Sequence, residues 1–148
     1  MEDFLKHNSK TYTELQTYTG GAEKFSPPEF MLAKVVSVYD GDTCTVVCRI
    51  GDQLCENKVR LLRINTEEIR QPLNEPNRVA LKKHALEEKT ALENHTLGKV
   101  VLLQTGGYDA FGRILSEVWT LSSEHKKIKP ELNVNDWMLN HGTKAFHD

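Results

Sequence analysis

Phe30-Met31-Leu32-Ala33-Lys34-Val35-Val36-Ser37-Val38-Tyr39-Asp40-Gly41-Asp42-Thr43-Cys44-Thr45-Val46-Val47-Cys48-Arg49-Ile50 consists of two apolar, β-branched runs separated by an Asp-Gly turn. That is the pattern of a β-hairpin. On its second strand Cys44, Val46, Cys48 and Ile50 fall on one face, because strand side chains alternate, and the first two cysteines read as small core residues. Gly51-Asp52 supplies another turn and Asn57 to Ile64 a third strand, so the three form a meander. A loop from Asn65 to Pro76, with two prolines, follows.

Outward from the meander, Glu75 to Leu97 has helical composition, with Pro76 near its start and Gly98 just past its end. Leu81, Ala85 and Leu92 make a narrow stripe flanked by Ala80 and Ala91, while Val79 and Leu86 lie opposite. Lys99 to Gln104 is a fourth strand, Thr105 to Gly112 a loop, and Arg113 to Thr120 a fifth strand. A polar loop containing Pro130 leads to a helix over Asn133 to Asn140, stopped by Gly142. The order β-β-β-α-β-β-α, with a helix between the third and fourth strands, is that of an OB-type barrel. The expected fold is therefore α+β and mainly β, a five-stranded OB-fold β-barrel with packed helices over residues 29–148. Residues 1–28 are polar and turn-rich and are expected to form an arm, helical over residues 2–7 and otherwise irregular.

A chain of 148 residues with 39% hydrophobic and 27% charged residues is one domain able to bury an ordinary core. No apolar stretch reaches the length of a membrane span, and the start lacks a secretory signal. The sequence thus reads as an intracellular, cytoplasmic monomer with no membrane partner. The net charge of −2 argues against a protein held on nucleic acid by bulk electrostatics. The excess acid lies in residues 1–30, so phosphate affinity requires a local cluster. Cys44, Cys48 and Cys55 are odd in number and match no zinc spacing. His84 and His95 are eleven apart and match none either, and Trp119 and Trp137 read as packing residues.

Three segments carry chemistry. Asp40-Gly41-Asp42-Thr43 puts two carboxylates around a turn, and a hard cation such as calcium takes carboxylate oxygens. Arg60-Leu61-Leu62-Arg63-Ile64-Asn65-Thr66-Glu67-Glu68 runs an arginine-led strand into an acidic loop. Asp109-Ala110-Phe111-Gly112-Arg113 brings a further arginine to the start of a later strand. Singly, these read as a hairpin turn and as charges at strand ends. In order along one chain they resemble the staphylococcal nuclease (thermonuclease) family, whose pattern is a DGDT turn, an R-L-x-x-I/V-D-T-P-E strand and loop, and a D-x-Y-G-R turn. The resemblance spans residues 31 to about 146 and extends to Val134-Asn135 and Gly142.

The resemblance implies a role for each matching position. Asp42 corresponds to a calcium ligand, with Asp40 behind it as a supporting acid; Asn65 stands at the second ligand position and Thr66 where a backbone carbonyl coordinates. Glu68 matches the general base that activates water, and Arg60 and Arg113 match the arginines that grip the scissile phosphate. Phe111 stands where a tyrosine helps hold substrate and keeps a ring able to stack on a base. The implied activity is hydrolysis of phosphodiester bonds of DNA or RNA, single-stranded or flexible, with low sequence specificity. The alternative is a catalytically weak or inactive module of the same fold that binds nucleic acid or protein. Asn65 replaces the family's aspartate and removes a negative charge, which implies weaker calcium binding or another preferred divalent cation. Glu67 replaces a proline and Ala110 a lysine.

Overall fold

The computed structural model describes residues 1–146; the last two residues of the expected domain, His147 and Asp148, lie outside the described residues. Helices α1 (Glu2–His7) and α2 (Ser9–Gln16) precede strands β1 (Phe30–Asp40), β2 (Thr43–Ile50) and β3 (Gln53–Leu61). A two-residue strand β4 (Ile64–Asn65) is followed by α3 (Arg78–Thr96), then by β5 (Val100–Tyr108), β6 (Ile114–Glu124) and β7 (Lys127–Asn133). The chain finishes with α4 (Val134–Asn140) and β8 (Lys144–Ala145).

Strands β3, β2, β1, β5 and β6 are neighbours in that order and antiparallel throughout. A parallel pairing of β3 with β6, Val59 beside Ile114 and Leu61 beside Ser116, closes the ring. The result is a closed five-stranded mixed β-barrel of the OB type, with helices packed on it, as the order of elements leads one to expect. Its interior is filled by alternate residues: Met31, Ala33 and Val35 from β1, Cys44, Val46 and Cys48 from β2, Val59 and Leu61 from β3, Val101 and Leu103 from β5, and Ile114 and Val118 from β6. Ile50, on the same face as Cys44, Val46 and Cys48, lies beyond the packed interior and is exposed. In β1 the inward set switches from Val35 to Val38, where the register with β2 slips. Such bulges sharpen twist and bend a strand, as closure of a small barrel requires.

Helix α3 seals the barrel with Ala85, Leu92 and Thr96, leaving Val79 and Leu86 on its solvent side. Helix α4 buries Val134 and Met138 and is capped by the Asn133 side chain, which accepts from the Asp136 amide at 2.9 Å. Among the described residues no helix is long and apolar enough to cross a membrane.

Four expectations are corrected. The third strand ends at Leu61, not Ile64, because Arg63 turns left-handed (φ 68°) with its guanidinium on Glu117 and Asp136. The apolar run through the break resembles one strand because both sides of it are buried. The polar loop around Pro130 is instead β7, the outermost strand, where an edge position next to a register shift tolerates proline. The fourth strand runs on to Tyr108, passing Gly106-Gly107 at another irregularity. The arm is helical over residues 2–7 as expected, but a second helix occupies Ser9–Gln16 where irregular chain was expected. Neither arm helix buries a residue; near its end the arm meets the barrel, where Phe25 stacks on Tyr108 and Thr105 donates its hydroxyl to the Pro28 carbonyl at 2.6 Å.

Candidate active site

The β1–β2 hairpin closes on Asp40 opposite Thr43, which puts the Asp40-Gly41-Asp42 turn at one mouth of the barrel. Gly41 lies against α3 and the following loop: a Cβ there would stand 2.7 Å from Cγ2 of Thr66 and 2.8 Å from Cβ of Glu88. Only glycine permits that approach. Asp42 is thereby pressed inward and buried. Its Oδ1 accepts from the Thr43 hydroxyl at 2.9 Å, and its Oδ2 from the amide and hydroxyl of Thr66 at 3.1 and 2.9 Å. Arg60 Nη2 stands 3.4 Å from the same Oδ2. Burial alone would push the Asp42 carboxyl up, but the contacts with Asp40, Arg60 and Thr66 together hold it below the ordinary carboxylate range. Asp40 moves the other way, pushed up to about 6 by burial and by its neighbour Asp42, with the Glu68 charge adding to the effect.

Arg60 sits where three strands meet, opposite Thr43 of β2 and beside Leu115 of β6. Its Nη1 donates to the carbonyls of Leu61 at 2.7 Å and Ile64 at 3.0 Å, bridging the break after β3. Arg113 precedes β6. Asp109 accepts from the amides of Phe111 and Arg113, both at 2.9 Å, and from the Arg113 Nε, so one carboxylate shapes the turn and aims the guanidinium. The rings of Phe146 and Phe111 lie against Arg60 and Arg113, with centroids 5.8 and 5.5 Å from the guanidinium carbons. Both arginines and both rings line one cavity of about 430 Å³.

Glu68 does not enter that cavity. It is exposed and borders a neighbouring opening of about 540 Å³ with Tyr39, Asp40 and Arg70. The two openings are linked through the acids: Glu68 acts on Asp40, Asp40 on Asp42, and Asp42 on Arg60. Asn65 is exposed on β4, paired with Lys144 of β8. Glu67 does not add charge to the mouth, because Lys144 Nζ binds it at 2.9 Å. Ala110 is exposed beside Phe111.

Sequence reasoning gave no role to the residues that hold these groups in place. Glu88 is buried on α3, accepting the Glu67 amide at 2.9 Å and the Thr143 hydroxyl at 2.8 Å, with His84 Nε2 at 3.7 Å. It fastens the loop that carries Glu68 to both the helix and the C-terminal segment. Among the acids of α3, only its place on the Ala85–Leu92 stripe distinguishes it. Asn135 is likewise buried, accepting from Val118 N and donating to the Leu62 and Ser116 carbonyls at 2.9 and 3.2 Å. Asp109 and Asn135 were legible only as members of the quoted segments Asp109–Arg113 and Val134-Asn135.

The donors expected from the sequence are all oxygens, namely the Asp40 and Asp42 carboxylates, the Asn65 amide and the Thr66 carbonyl; Asp40, Asp42 and Thr66 adjoin one another, whereas Asn65 is exposed on β4. That set suits a hard divalent cation, and Asp40, raised beside Asp42, is a carboxyl whose charge such an ion would compensate. Among the described residues no three His, Cys, Asp or Glu side chains form a ready cluster, so backbone and amide oxygens would have to complete the shell. Comparison with protein-family models and with curated proteins finds no match to this chain.

Proposed function

We propose that this chain is a divalent-metal-dependent nuclease of the staphylococcal nuclease-like kind. It hydrolyses phosphodiester bonds of single-stranded or flexible DNA or RNA with little sequence preference. The observation that carries the reading is the shared cavity of Arg60 and Arg113, with Asp42 in ionic contact with Arg60 from behind. Two guanidinium groups facing one space, flanked by aromatic rings, are suited to a phosphate with a base beside it.

Asp42, the Asn65 amide and the Thr66 carbonyl would hold calcium, or another hard divalent cation, with Asp40 supporting from behind. When bound, the ion neutralises phosphate charge and acidifies water. Glu68 takes the proton of the attacking water. The water oxygen forms its bond to phosphorus while the 5′-oxygen leaves and takes a proton from solvent, so the products carry a 3′-phosphate and a 5′-hydroxyl. Arg60 and Arg113 hold the phosphate oxygens and stabilise the charge that builds on them. Asp109 and Phe111 keep Arg113 oriented, and the exposed Phe111 ring stacks on a base.

A second reading has its own observation in its favour. Arg60 is committed to two carbonyls and to Asp42, and both Asp42 oxygens are engaged. On that reading the chain is a catalytically weak or inactive module that binds nucleic acid or protein. The two separate on one assay: single-stranded DNA with calcium, with other divalent ions and with chelator, beside Glu68→Gln. Metal-dependent cleavage that the variant loses supports the nuclease, whereas binding without cutting in every ion supports the module.

A further inference from the structure

Cys48 and Cys55 are seven residues apart in sequence, a separation without meaning until the register is known. Strands β2 and β3 pair so that the two cysteines stand directly opposite one another. Opposed residues of an antiparallel pair project from the same face, so both thiols point to the inner side of the hairpin. Counting from the two-residue turn Gly51-Asp52, Ile50 and Gln53 close the hairpin as a hydrogen-bonded pair, Arg49 and Leu54 form the wide pair, and Cys48 and Cys55 are again hydrogen-bonded. Cα atoms of such a pair lie about 5.5 Å apart, within the span a disulfide bridges.

We propose that Cys48 and Cys55 are a redox-active pair that closes to a cross-strand disulfide when the protein meets a low-molecular-weight disulfide such as oxidised glutathione. The two thiols differ in access, which orders the steps. Cys55 is half-buried at the barrel's end, whereas Cys48 is buried in the core cluster with its Sγ accepting from Asn57 Nδ2 at 3.4 Å. Burial also pushes the Cys48 thiol up, and the neighbouring Cys55 adds to this. Cys55 therefore attacks first. It gives its proton to solvent, forms a bond to one sulfur of the small disulfide, and expels the other half as a thiolate. Cys48 then loses its proton and attacks Cys55 Sγ, forming the protein bridge and releasing the second thiolate. Two protein thiols are oxidised and one small disulfide is reduced to two thiols, so atoms and electrons balance.

Cross-strand bridges between directly paired residues are strained, and strained or exposed disulfides have the more oxidising, readily reversed potentials. The pair is thus suited to reversible closure rather than permanent stapling. Cys44, the third cysteine, is buried two positions further along the inner face, opposite Val59, and has no thiol facing it. Five residues of extended strand separate Cys48 from Thr43, about 17 Å at 3.4 Å per residue, so the pair lies apart from Asp42 and Arg60. The inference does not depend on the nuclease reading.

The test uses the whole folded chain, reduced and then exposed to oxidised glutathione. Thiol titration in denaturant should fall from three groups to one, with the intact mass two hydrogens lower. Trypsin, cutting after Lys34, Arg49 and Lys58, should yield residues 35–49 joined to residues 50–58. Cys44→Ala should still form this bridge, while Cys48→Ala should stop at a glutathione adduct on Cys55. Adding dithiothreitol should restore three titratable thiols. Three titratable thiols after exposure, a stable glutathione adduct on the native chain, or a bridge that vanishes in Cys44→Ala would each overturn the proposal.

Discussion

Arg60 serves two purposes at once, and its replacement separates them. Its guanidinium compensates a buried aspartate and ties two carbonyls across the break after β3. Arg60→Ala is expected to lower unfolding free energy in urea by about 3 kcal/mol, since removing one partner strands the other in the interior. Arg113→Ala, whose partner Asp109 lies nearer solvent, should cost about 1 kcal/mol. On the nuclease reading both lose about 10²–10³ in cleavage rate; Glu68→Gln loses comparable activity while stability moves by less than about 0.5 kcal/mol. The acid pair gives a pH signature. Asp42, held low, contributes stability that is present above about pH 4 and lost as it protonates below that. Asp40, held at about 6, contributes stability that is full below about pH 4 and lost as pH rises through about 6. Both contributions are full only near pH 4, so thermal melts of the wild type should peak there and fall on either side. Asp40→Asn should stabilise the protein at neutral pH, abolish the upper limb alone and weaken divalent-ion binding. Asp42, Arg60 and Arg113 stood out in the sequence only because their three segments together resemble a family pattern; singly they read as a turn and as charges at strand ends. Pairings at the mouth did not stand out: Glu67 reads as spare negative charge until the pairing of β4 with β8 brings Lys144 to it.

At the level of elements, the mouth depends on contacts between pieces far apart in sequence. Gly41→Ala would drive a methyl into Thr66 and Glu88, neither of which is the free end of a flexible chain. The cost should be about 2 kcal/mol, read from denaturant midpoints. Asn135→Ala removes the latch between α4, β6 and the chain break at Leu62, leaving several buried groups without partners; about 3 kcal/mol should be lost. The meander and α3 were readable because apolar period and turn chemistry agree there. The break at Leu62-Arg63 was not, since its cause is Glu117 and Asp136 gripping Arg63 from elsewhere. Strand β7 was hidden for a related reason: Lys127, Lys129, Pro130 and Glu131 are exposed on an edge, where pairing with β6 rather than burial makes the strand.

For the molecule as a whole, the two arm helices and the barrel are energetically separate. Two helices of six and eight residues with no buried side chain draw no support from packing, and isolated helices so short are marginal in water. Removing residues 1–24, which spares Phe25 and the buried Pro27, should leave the denaturation midpoint unchanged within about 0.5 kcal/mol of stability. The barrel is different, because its ring is sealed by the parallel seam of β3 and β6, joining Val59 to Ile114 and Leu61 to Ser116. Closing so long a span is entropically costly and slow. A nascent chain emerging from the ribosome can zip the first hairpins early, yet it cannot bring Arg60 alongside Leu115 until nearly the entire domain has been translated. The cavity shared by the two arginines is therefore assembled by the same late event that completes the ring, so a half-synthesised copy lacks it.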